Sequence, residues 1–251
     1  MSDATTLRDL HLPGTPLVVP NAWDAASARM VEAAGFAAVA TSSNATASVL
    51  GYDDGEQAPV DDVLHAAARI AGSVSVPVTV DFERGYGLAP AELVERFTAT
   101  GAVGLNLEDS DPATGTMVDP AAQADFLAAV RAAAGDALVI NARIDVFLRR
   151  AGSPDEQLAA ALDRAARYLA AGADCVYPIG VGDLELIATL VKESSAPVNV
   201  AYGQGAHSVA DYATRGVARI SFGPMFQRHL YAKFAGSLLP ALQADRNPFA
   251  E

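Results

Sequence analysis

Residues 98–109, TATGAVGLNLED, contain the pattern that predicts the fold. An Ala-rich amphipathic segment ends at Gly101, and the apolar run that follows is too short for a helix. Glycine ends helices readily because its left-handed conformation carries no Cβ penalty, and a short apolar run suits a strand buried on both faces. The same pattern recurs at Gly35, Gly172 and Gly216. The chain is therefore built from repeated helix–strand units.

Four further apolar runs bring the predicted strands to eight. They are LVVPN at 17–21, VPVTVD at 76–81, LVINAR at 138–143 and APVNVAY at 196–202. Helices are predicted between the strands, at 23–34, 60–73, 90–100, 120–134, 154–171, 183–193, 208–214 and 224–240. Eight alternations predict the parallel strands of an α/β, TIM-type (β/α)8 barrel. A doubly wound open sheet is the alternative, but it usually has a Gly-rich turn after its first strand, and PNAWDAAS stands there instead.

Composition narrows the class of protein further. A length of 251 residues and 51% hydrophobic content suit one domain over 1–251, with a core at about 15–240 and a frayed N-terminus. The net charge of −13 argues against a nucleic-acid partner, and the single Cys excludes a disulfide scaffold and a Cys-rich zinc site. Neither a signal peptide nor a bilayer-spanning stretch is apparent, so we expect a cytoplasmic protein with no membrane partner.

Acidic residues gather where such a barrel places its chemistry, at the carboxyl ends of the strands. Asp81 and Glu83 end the third strand and are two residues apart, so a continuous strand would point them the same way. Glu108 ends the fourth strand. Unpaired buried acids are costly, and Mg²⁺ or Mn²⁺ would relieve their repulsion. The alternative is a salt-bridge network with Arg84 and Arg143; the strand-end position favours the metal.

Other strand-end residues suit an anionic substrate. Arg143, at the end of the fifth strand, can form a two-pronged contact with a carboxylate. Ser42, Ser43 and Asn44 follow the second strand and can donate hydrogen bonds to the same group, although plain turn chemistry also explains them. Asn199, on the seventh strand, completes the predicted substrate-binding set.

Taken together, these residues resemble the isocitrate lyase / phosphoenolpyruvate mutase superfamily over about residues 15–235. Relatives carry segments like D-x-D-x-G-Y-G after the third strand, L-E-D after the fourth and A-R-x-D/E after the fifth. The matching segments here are PNAWDAASARMVEAAGFAAVATSS (20–43), LGYDDGE (50–56), VPVTVDFERGYG (76–87), GAVGLNLED (101–109) and INARIDVF (140–147).

The resemblance implies a modified barrel that holds Mg²⁺ at its mouth. Asp81 would be the direct ligand of the metal. Glu83, which replaces the family's second Asp, and Glu108 would hold metal-bound waters. Asp54 would join them from the loop after the second strand and is assigned, with Arg143, to catalysis.

The resemblance also implies a small 2-oxo acid, or an enolate derived from one, as the bound substrate. Ser42 would bind the substrate carboxylate, helped by the backbone of Ser43 and Asn44. Arg143 would bind the substrate and stabilise the developing charge. A metal and a guanidinium together suit an enolate, because both stabilise negative charge as it forms.

The loop after the fourth strand departs from the family pattern. The lyases carry K-[KR]-C-G-H there, and the mutases and hydrolases that act on phosphonopyruvate carry Lys and Asn. Here the segment 108–123, EDSDPATGTMVDPAAQ, has no Cys, Lys, His or Asn. The expected activity is therefore a C–C lyase or an oxaloacetate decarboxylase. The alternatives are a P–C bond mutase or hydrolase, and a non-catalytic protein that binds a 2-oxo acid.

The last predicted helix, 224–240, indicates self-association. It is amphipathic and carries more apolar residues than one barrel flank usually needs, namely Met225, Phe226, Leu230, Tyr231, Phe234, Leu238 and Leu239. Family members exchange their last helices between subunits. The resemblance therefore implies a homodimer or a homotetramer in which this helix is swapped.

Overall fold

A computed structural model describes residues 3–150 and 152–249, and nine strand segments lie within them. They form two parallel sheets, in the orders β1-β9-β8 and β2-β3-β4-β5-β6-β7. Their bounds are β1 (Leu17–Val19), β2 (Asn21–Ala22), β3 (Val39–Thr41), β4 (Val78–Asp81), β5 (Gly104–Glu108), β6 (Val139–Ile144), β7 (Cys175–Pro178), β8 (Asn199–Ala201) and β9 (Arg219–Ser221).

Two junctions connect these sheets into one ring. At the first, Pro20 separates β1 from β2, which are successive parts of one predicted strand, and its carbonyl accepts a hydrogen bond from Ala40 N at 3.0 Å. At the second, a single parallel bridge joins Val176 of β7 to Val198 next to β8. The strands thus occupy eight positions, and the predicted TIM-type α/β architecture is confirmed.

Helices follow the strands on the outside of the ring. Their bounds are α1 (Asp3–Asp9), α2 (Ala25–Ala33), α3 (Ser43–Leu50), α4 (Val60–Ala71), α5 (Pro90–Thr98), α6 (Pro120–Ala134), α7 (Val146–Arg149), α8 (Pro154–Ala170), α9 (Leu184–Ser194), α10 (Val209–Thr214), α11 (Met225–Lys233) and α12 (Leu239–Gln243), with a π-helical segment at Phe234–Leu238. The short helices α3 and α7 were not predicted, because each lies in a loop directly after a strand.

The N-terminal helix α1 closes the lower end of the barrel, so the expectation of a frayed N-terminus is wrong for the described residues. Leu7 is fully buried against apolar residues of the barrel interior. Gly104 makes room for it, because a Cβ there would lie 2.7 Å from Leu7 Cδ2. Arg8 Nε pairs with Asp174 Oδ1 at 2.7 Å. These contacts exist only once the barrel has formed, so the local sequence does not reveal them.

His11, just after α1, should make stability depend on pH. Its Nδ1 lies 2.8 Å from Leu7 O, and burial, together with the charge of Arg219, lowers its pKa from 6.5 to about 4. At this residue the unfolded chain binds more protons than the folded chain between these values, so the contribution of His11 to stability is present in full above pH 6.5 and is lost as the pH falls toward 4. The expected loss is about 3 kcal/mol.

Urea denaturation at pH 7 and at pH 4.5 measures this loss. In the His11→Asn variant the amide nitrogen can still donate to Leu7 O, but the side chain does not titrate in this range. The variant should therefore lose clearly less stability between the two pH values than the parent. Equal losses in parent and variant would mean that His11 does not carry the effect.

The C-terminal helices extend past the predicted end at residue 240. The predicted single helix is instead α11, the π-helical segment and α12 in succession. Gln227 is buried against the barrel, but the apolar residues along this region are exposed, namely Phe226, Leu230, Tyr231, Phe234, Leu239 and Leu242. None of the helices in the described part of the chain is long and apolar enough to span a bilayer.

Candidate active site

A cavity of about 310 Å³ opens at the carboxyl ends of the strands. Its size and position are those expected of a small-molecule site in this fold. A larger groove of about 550 Å³ lies between α2, α3 and α4 and includes none of the predicted site residues. The residues that line the strand-end cavity are Asn21, Ser42, Ser43, Asn44, Asp54, Asp81, Asn106, Arg143, Leu148, Tyr177, Ile179, Ser221, Gly223, Pro224 and Arg228.

The cavity brings together six of the nine predicted site residues. They are Ser42, Ser43, Asn44, Asp54, Asp81 and Arg143. Glu83, Glu108 and Asn199 are not among its lining residues. Asn199 is fully buried, and its amide contacts Ser221 Oγ at 3.3 Å. We therefore place Asn199 behind Ser221, as its support, and not against the substrate.

The start of α3 holds Asp81 in place. Ser42 is the N-cap of α3, and its Oγ accepts a hydrogen bond from Ala45 N at 3.4 Å. Ser43 donates to Asp81 Oδ2 from its backbone N at 3.0 Å and from its Oγ at 2.9 Å. The Ser43 donors that were predicted for the substrate are thus already used by Asp81. Beside them, Asn44 Nδ2 donates to Asp54 Oδ2 at 3.3 Å.

An amide chain inside the barrel supports Asp81 from the other side. Asn106 Nδ2 donates to Asp81 Oδ1 at 3.3 Å, and Asn141 Nδ2 donates to Asn106 Oδ1 at 2.8 Å. Asn106 was not predicted from the sequence. A signal was available, since Asn106 precedes Glu108 by two residues on β5 and so lies on the same face of that strand.

Glu83 does not share a strand face with Asp81, so that prediction is wrong. The strand β4 ends at Asp81, and Glu83 lies beyond it with a φ of 47°, in the left-handed region. Its carboxylate accepts hydrogen bonds from Glu56 N at 2.8 Å and from the Tyr86 hydroxyl at 2.7 Å. Burial, helped by the charges of Asp54 and Asp81, raises the pKa of Glu83 to about 7 in spite of the Tyr86 bond.

Arg143 forms the salt-bridge network that the sequence analysis held as the alternative to a metal. Its Nη1 lies 2.5 Å from Glu108 Oε2, and its Nε and Nη2 donate to the two Asp145 oxygens at 2.7 and 3.1 Å. Burial raises the pKa of Glu108, and Arg143 opposes that rise. Arg84 was the other predicted partner. It takes part in none of the ion pairs formed within the described residues, 3–150 and 152–249.

The acids do not converge as the sequence analysis expected. In the part of the chain that the structure describes, no three acidic, His or Cys side chains are close enough together to hold a metal by themselves. Asp81 and Asp54 line the cavity. The other side chains there that could ligate a metal offer hydroxyl or amide oxygens. Mg²⁺ often keeps several waters and binds through one or two carboxylates. This donor set fits Mg²⁺ held directly by Asp81, with its other ligands mostly water.

The loop after β5, residues 109–119, is a hairpin that follows the carboxyl end of that strand, and none of its residues lines the cavity. Ser110 pairs with Met117 in an antiparallel bridge. At the base of the loop, Asp109 is buried and accepts hydrogen bonds from Arg164 Nη1 at 3.0 Å and from the Tyr168 hydroxyl at 2.8 Å. Since residues 109–119 include no Cys, Lys or His, this loop brings no ordinary proton donor or cation to the site.

The sequence profile described as phosphoenolpyruvate phosphomutase matches residues 7–239. The chain belongs to this family. The resemblance found in the sequence is therefore confirmed, and the phosphoenolpyruvate phosphomutase family sits within a superfamily that also includes 2-methylisocitrate lyases and 2,3-dimethylmalate lyase.

Proteins that are similar to this chain are named for several different activities. An uncharacterized protein of Mycobacterium tuberculosis is 34% identical over 90% of this chain and 85% of its own length. The 2-methylisocitrate lyase of Salmonella typhimurium is 30% identical over 75% of this chain and 70% of its own. A solved structure from Burkholderia cenocepacia is 40% identical, with a TM-score of 0.89, and covers 95% of this chain and 99% of that chain. Other relatives are named oxaloacetate decarboxylase and phosphoenolpyruvate phosphomutase.

Proposed function

We propose that this protein is a Mg²⁺-dependent enzyme that breaks the C–C bond between the third and fourth carbons of a small 2-oxo acid, which leaves an enolate, with oxaloacetate as the leading substrate. The observation that carries the proposal is the cavity at the strand ends, where Asp81 and Asp54 lie with Arg143 and several hydroxyl and amide donors. Relatives named 2-methylisocitrate lyase and oxaloacetate decarboxylase support a reaction of this class.

Asp81 is the proposed direct ligand of the metal, and Glu83 and Glu108 are the proposed partners of its waters. The bound ion, Mg²⁺ or Mn²⁺, would supply positive charge near the oxo oxygen where an enolate develops. Glu83 is suited to a water ligand because Tyr86 and the Glu56 backbone fix its carboxylate. The residues present are therefore compatible with the ion that the family implies.

Arg143 and Asp54 are the proposed catalytic residues. A guanidinium has five N–H donors, and Glu108 and Asp145 occupy three of those on Arg143. The remaining two can donate to the substrate oxygen that gains charge, which stabilises the transition state more than the ground state. Asp54, held by Asn44 at the rim, can orient a water or the substrate. Ser42 and the Asn44 backbone remain the proposed carboxylate contacts, whereas the Ser43 backbone N donates to Asp81.

The hairpin after β5 decides between reactions within the superfamily. A lyase that releases a carboxylate-stabilised carbanion needs an acid to protonate that carbon, and a phosphonate needs cations around its three oxygens. Residues 109–119 include no Cys, His, Lys or Arg, and of their three Asp side chains Asp109 is already paired with Arg164. In oxaloacetate decarboxylation, by contrast, the C3–C4 bond breaks, CO₂ leaves, and solvent can protonate C3 of the pyruvate enolate.

A steady-state assay with Mg²⁺ tests this proposal on four compounds. We expect release of pyruvate from oxaloacetate, and little turnover of isocitrate, 2-methylisocitrate or phosphonopyruvate. Turnover of any of these three at an ordinary enzymatic rate of roughly 1–10³ s⁻¹ would overturn the argument from the loop. Calorimetric binding of oxaloacetate without any turnover would instead establish a binding protein.

We also propose that the protein is a homodimer or a homotetramer in which the C-terminal helices cover a neighbouring subunit. The exposed apolar residues of α11 and α12 support this, since an isolated subunit would leave Leu230, Phe234 and Leu242 more than half exposed. Light scattering at micromolar concentration should give a mass of at least two chains. A monomer at that concentration would contradict the proposal.

A further inference from the structure

Arg228 is a cation in the cavity that the sequence analysis did not identify. It lies on α11, and its side chain lines the cavity together with Asn44 and Asp54. Its Nη2 donates to Asn44 Oδ1 at 3.0 Å. In the part of the chain that the structure describes, Arg228 belongs to no ion pair. Its positive charge is therefore still available to an anionic ligand.

The charge of Arg143, the other cation that lines the cavity, is already balanced. Glu108 and Asp145 both pair with its guanidinium, so the group of three carries a net negative charge when both acids are ionised. Arg143 can still donate hydrogen bonds, but it does not add net positive charge to the cavity. A second negative group on the substrate therefore needs a positively charged partner other than Arg143.

The fold holds Arg228 at the rim of the cavity. The preceding residue, Gln227, is buried, and its Nε2 donates to Ala45 O at 2.8 Å, which fixes α11 against the first turn of α3. The Arg228 backbone N donates to Pro224 O at 2.9 Å. The helix is thus anchored, whereas the exposed guanidinium has one neutral hydrogen-bond partner, Asn44, and can turn toward a ligand.

We propose that Arg228 is a specificity-determining residue that binds the second carboxylate of a dicarboxylate substrate. The inference rests on the proposed function, because it assumes that the first carboxylate and the oxo group occupy the strand-end site. A guanidinium binds a carboxylate through two parallel hydrogen bonds, which suits one unpaired arginine at the rim. The substrate class is then a four-carbon dicarboxylate in preference to a monocarboxylate.

Two non-reacting ligands test this assignment by calorimetry in the presence of Mg²⁺. Malate has the two carboxylates of oxaloacetate but no oxo group to stabilise an enolate, and 2-hydroxybutyrate has a methyl group in place of the second carboxylate. The parent should bind malate about 10- to 100-fold more tightly than 2-hydroxybutyrate, the usual range for a charge-assisted contact. Arg228→Gln should remove most of that difference, and Arg228→Lys should retain part of it.

The outcomes separate this inference from the proposed function. If Arg228→Gln binds malate as well as the parent, or if it weakens both ligands equally, the assignment to the second carboxylate is wrong. If the parent binds neither ligand and does not turn over oxaloacetate, the proposed function itself fails. Tighter binding of 3-phosphonopyruvate than of malate by the parent would also overturn the preference for a carboxylate.

Kinetics provide a second readout. The second carboxylate loses its charge as it leaves as CO₂, so its ion pair with Arg228 stabilises bound oxaloacetate more than the transition state. Arg228→Gln should therefore raise KM for oxaloacetate by about 10-fold or more without lowering kcat. A variant that lowers kcat and leaves KM unchanged would show that Arg228 acts on the reaction and not on recognition.

Discussion

Asp81→Asn is expected to lower kcat/KM for oxaloacetate by about 10²- to 10³-fold, the usual cost of removing one source of positive charge that stabilises a developing anion. Asp81 is the proposed direct ligand of Mg²⁺, and an amide is a much poorer ligand for that ion. The amide oxygen of the variant can still accept from Ser43, whereas its NH₂ group would face Asn106 Nδ2, so we expect only the 3.3 Å contact with Asn106 to be lost. Relief of repulsion with Glu83 can even raise the stability of the metal-free protein.

Three measurements check this expectation: steady-state kinetics, a calorimetric Mg²⁺ titration, and thermal melting in the presence of EDTA. Asp53→Asn is the matched control, because Asp53 is exposed, precedes Asp54 and does not line the cavity. It should behave like the parent in all three. If Asp81→Asn binds Mg²⁺ as tightly as the parent, the metal assignment is wrong.

Arg143→Gln is expected to lower the free energy of unfolding by about 3–5 kcal/mol, the usual cost of removing one partner from a buried ion pair. Glu108 and Asp145 are both buried, and the variant would leave both without their cation. Asp145 retains a hydrogen bond from Ser110 Oγ at 2.7 Å, so most of the cost should fall on Glu108. Urea denaturation at pH 7 measures the loss.

The double variant Arg143→Gln, Glu108→Gln separates the charge effect from lost packing. Because it removes the uncompensated carboxylate together with the guanidinium, it should recover a substantial part of the stability lost in the single variant. Both variants should lack oxaloacetate turnover, since neither retains a guanidinium to stabilise the enolate. A loss below 1 kcal/mol in the single variant would show that Glu108 is protonated or solvated at pH 7.

The positions of Asp81 and Glu83 show that the alternation of side chains along a strand does not predict orientation beyond the end of the strand. Alternation of side chains holds only while the chain remains a strand, and β4 ends at Asp81. The next residues turn, with Glu83 and Tyr86 both at positive φ. The hydrogen bond from Tyr86 is local, but the one from Glu56 N comes from a loop 27 positions earlier in the chain, and no local pattern encodes it.

The sequence by itself determined the order of elements, the barrel class and most of the strand-end residues. Helix ends at glycine, found in four units, and short buried strands, found eight times, are local signals that together identify a (β/α)8 barrel. Six of the nine predicted site residues line the cavity for the same reason, because parallel strands bring their carboxyl ends to one face.

Only the tertiary structure decided which charges are balanced and which remain available. The pairing of Arg143 with Glu108 is a contact between neighbouring strands whose partners are 35 positions apart, and its strength depends on burial. Arg228 lies 184 positions from Asn44, on a helix whose sequence reads as an amphipathic flank. Chain distance carries no information about such contacts. Electrostatic balance at the site follows from packing, and packing is settled only when the whole barrel has closed.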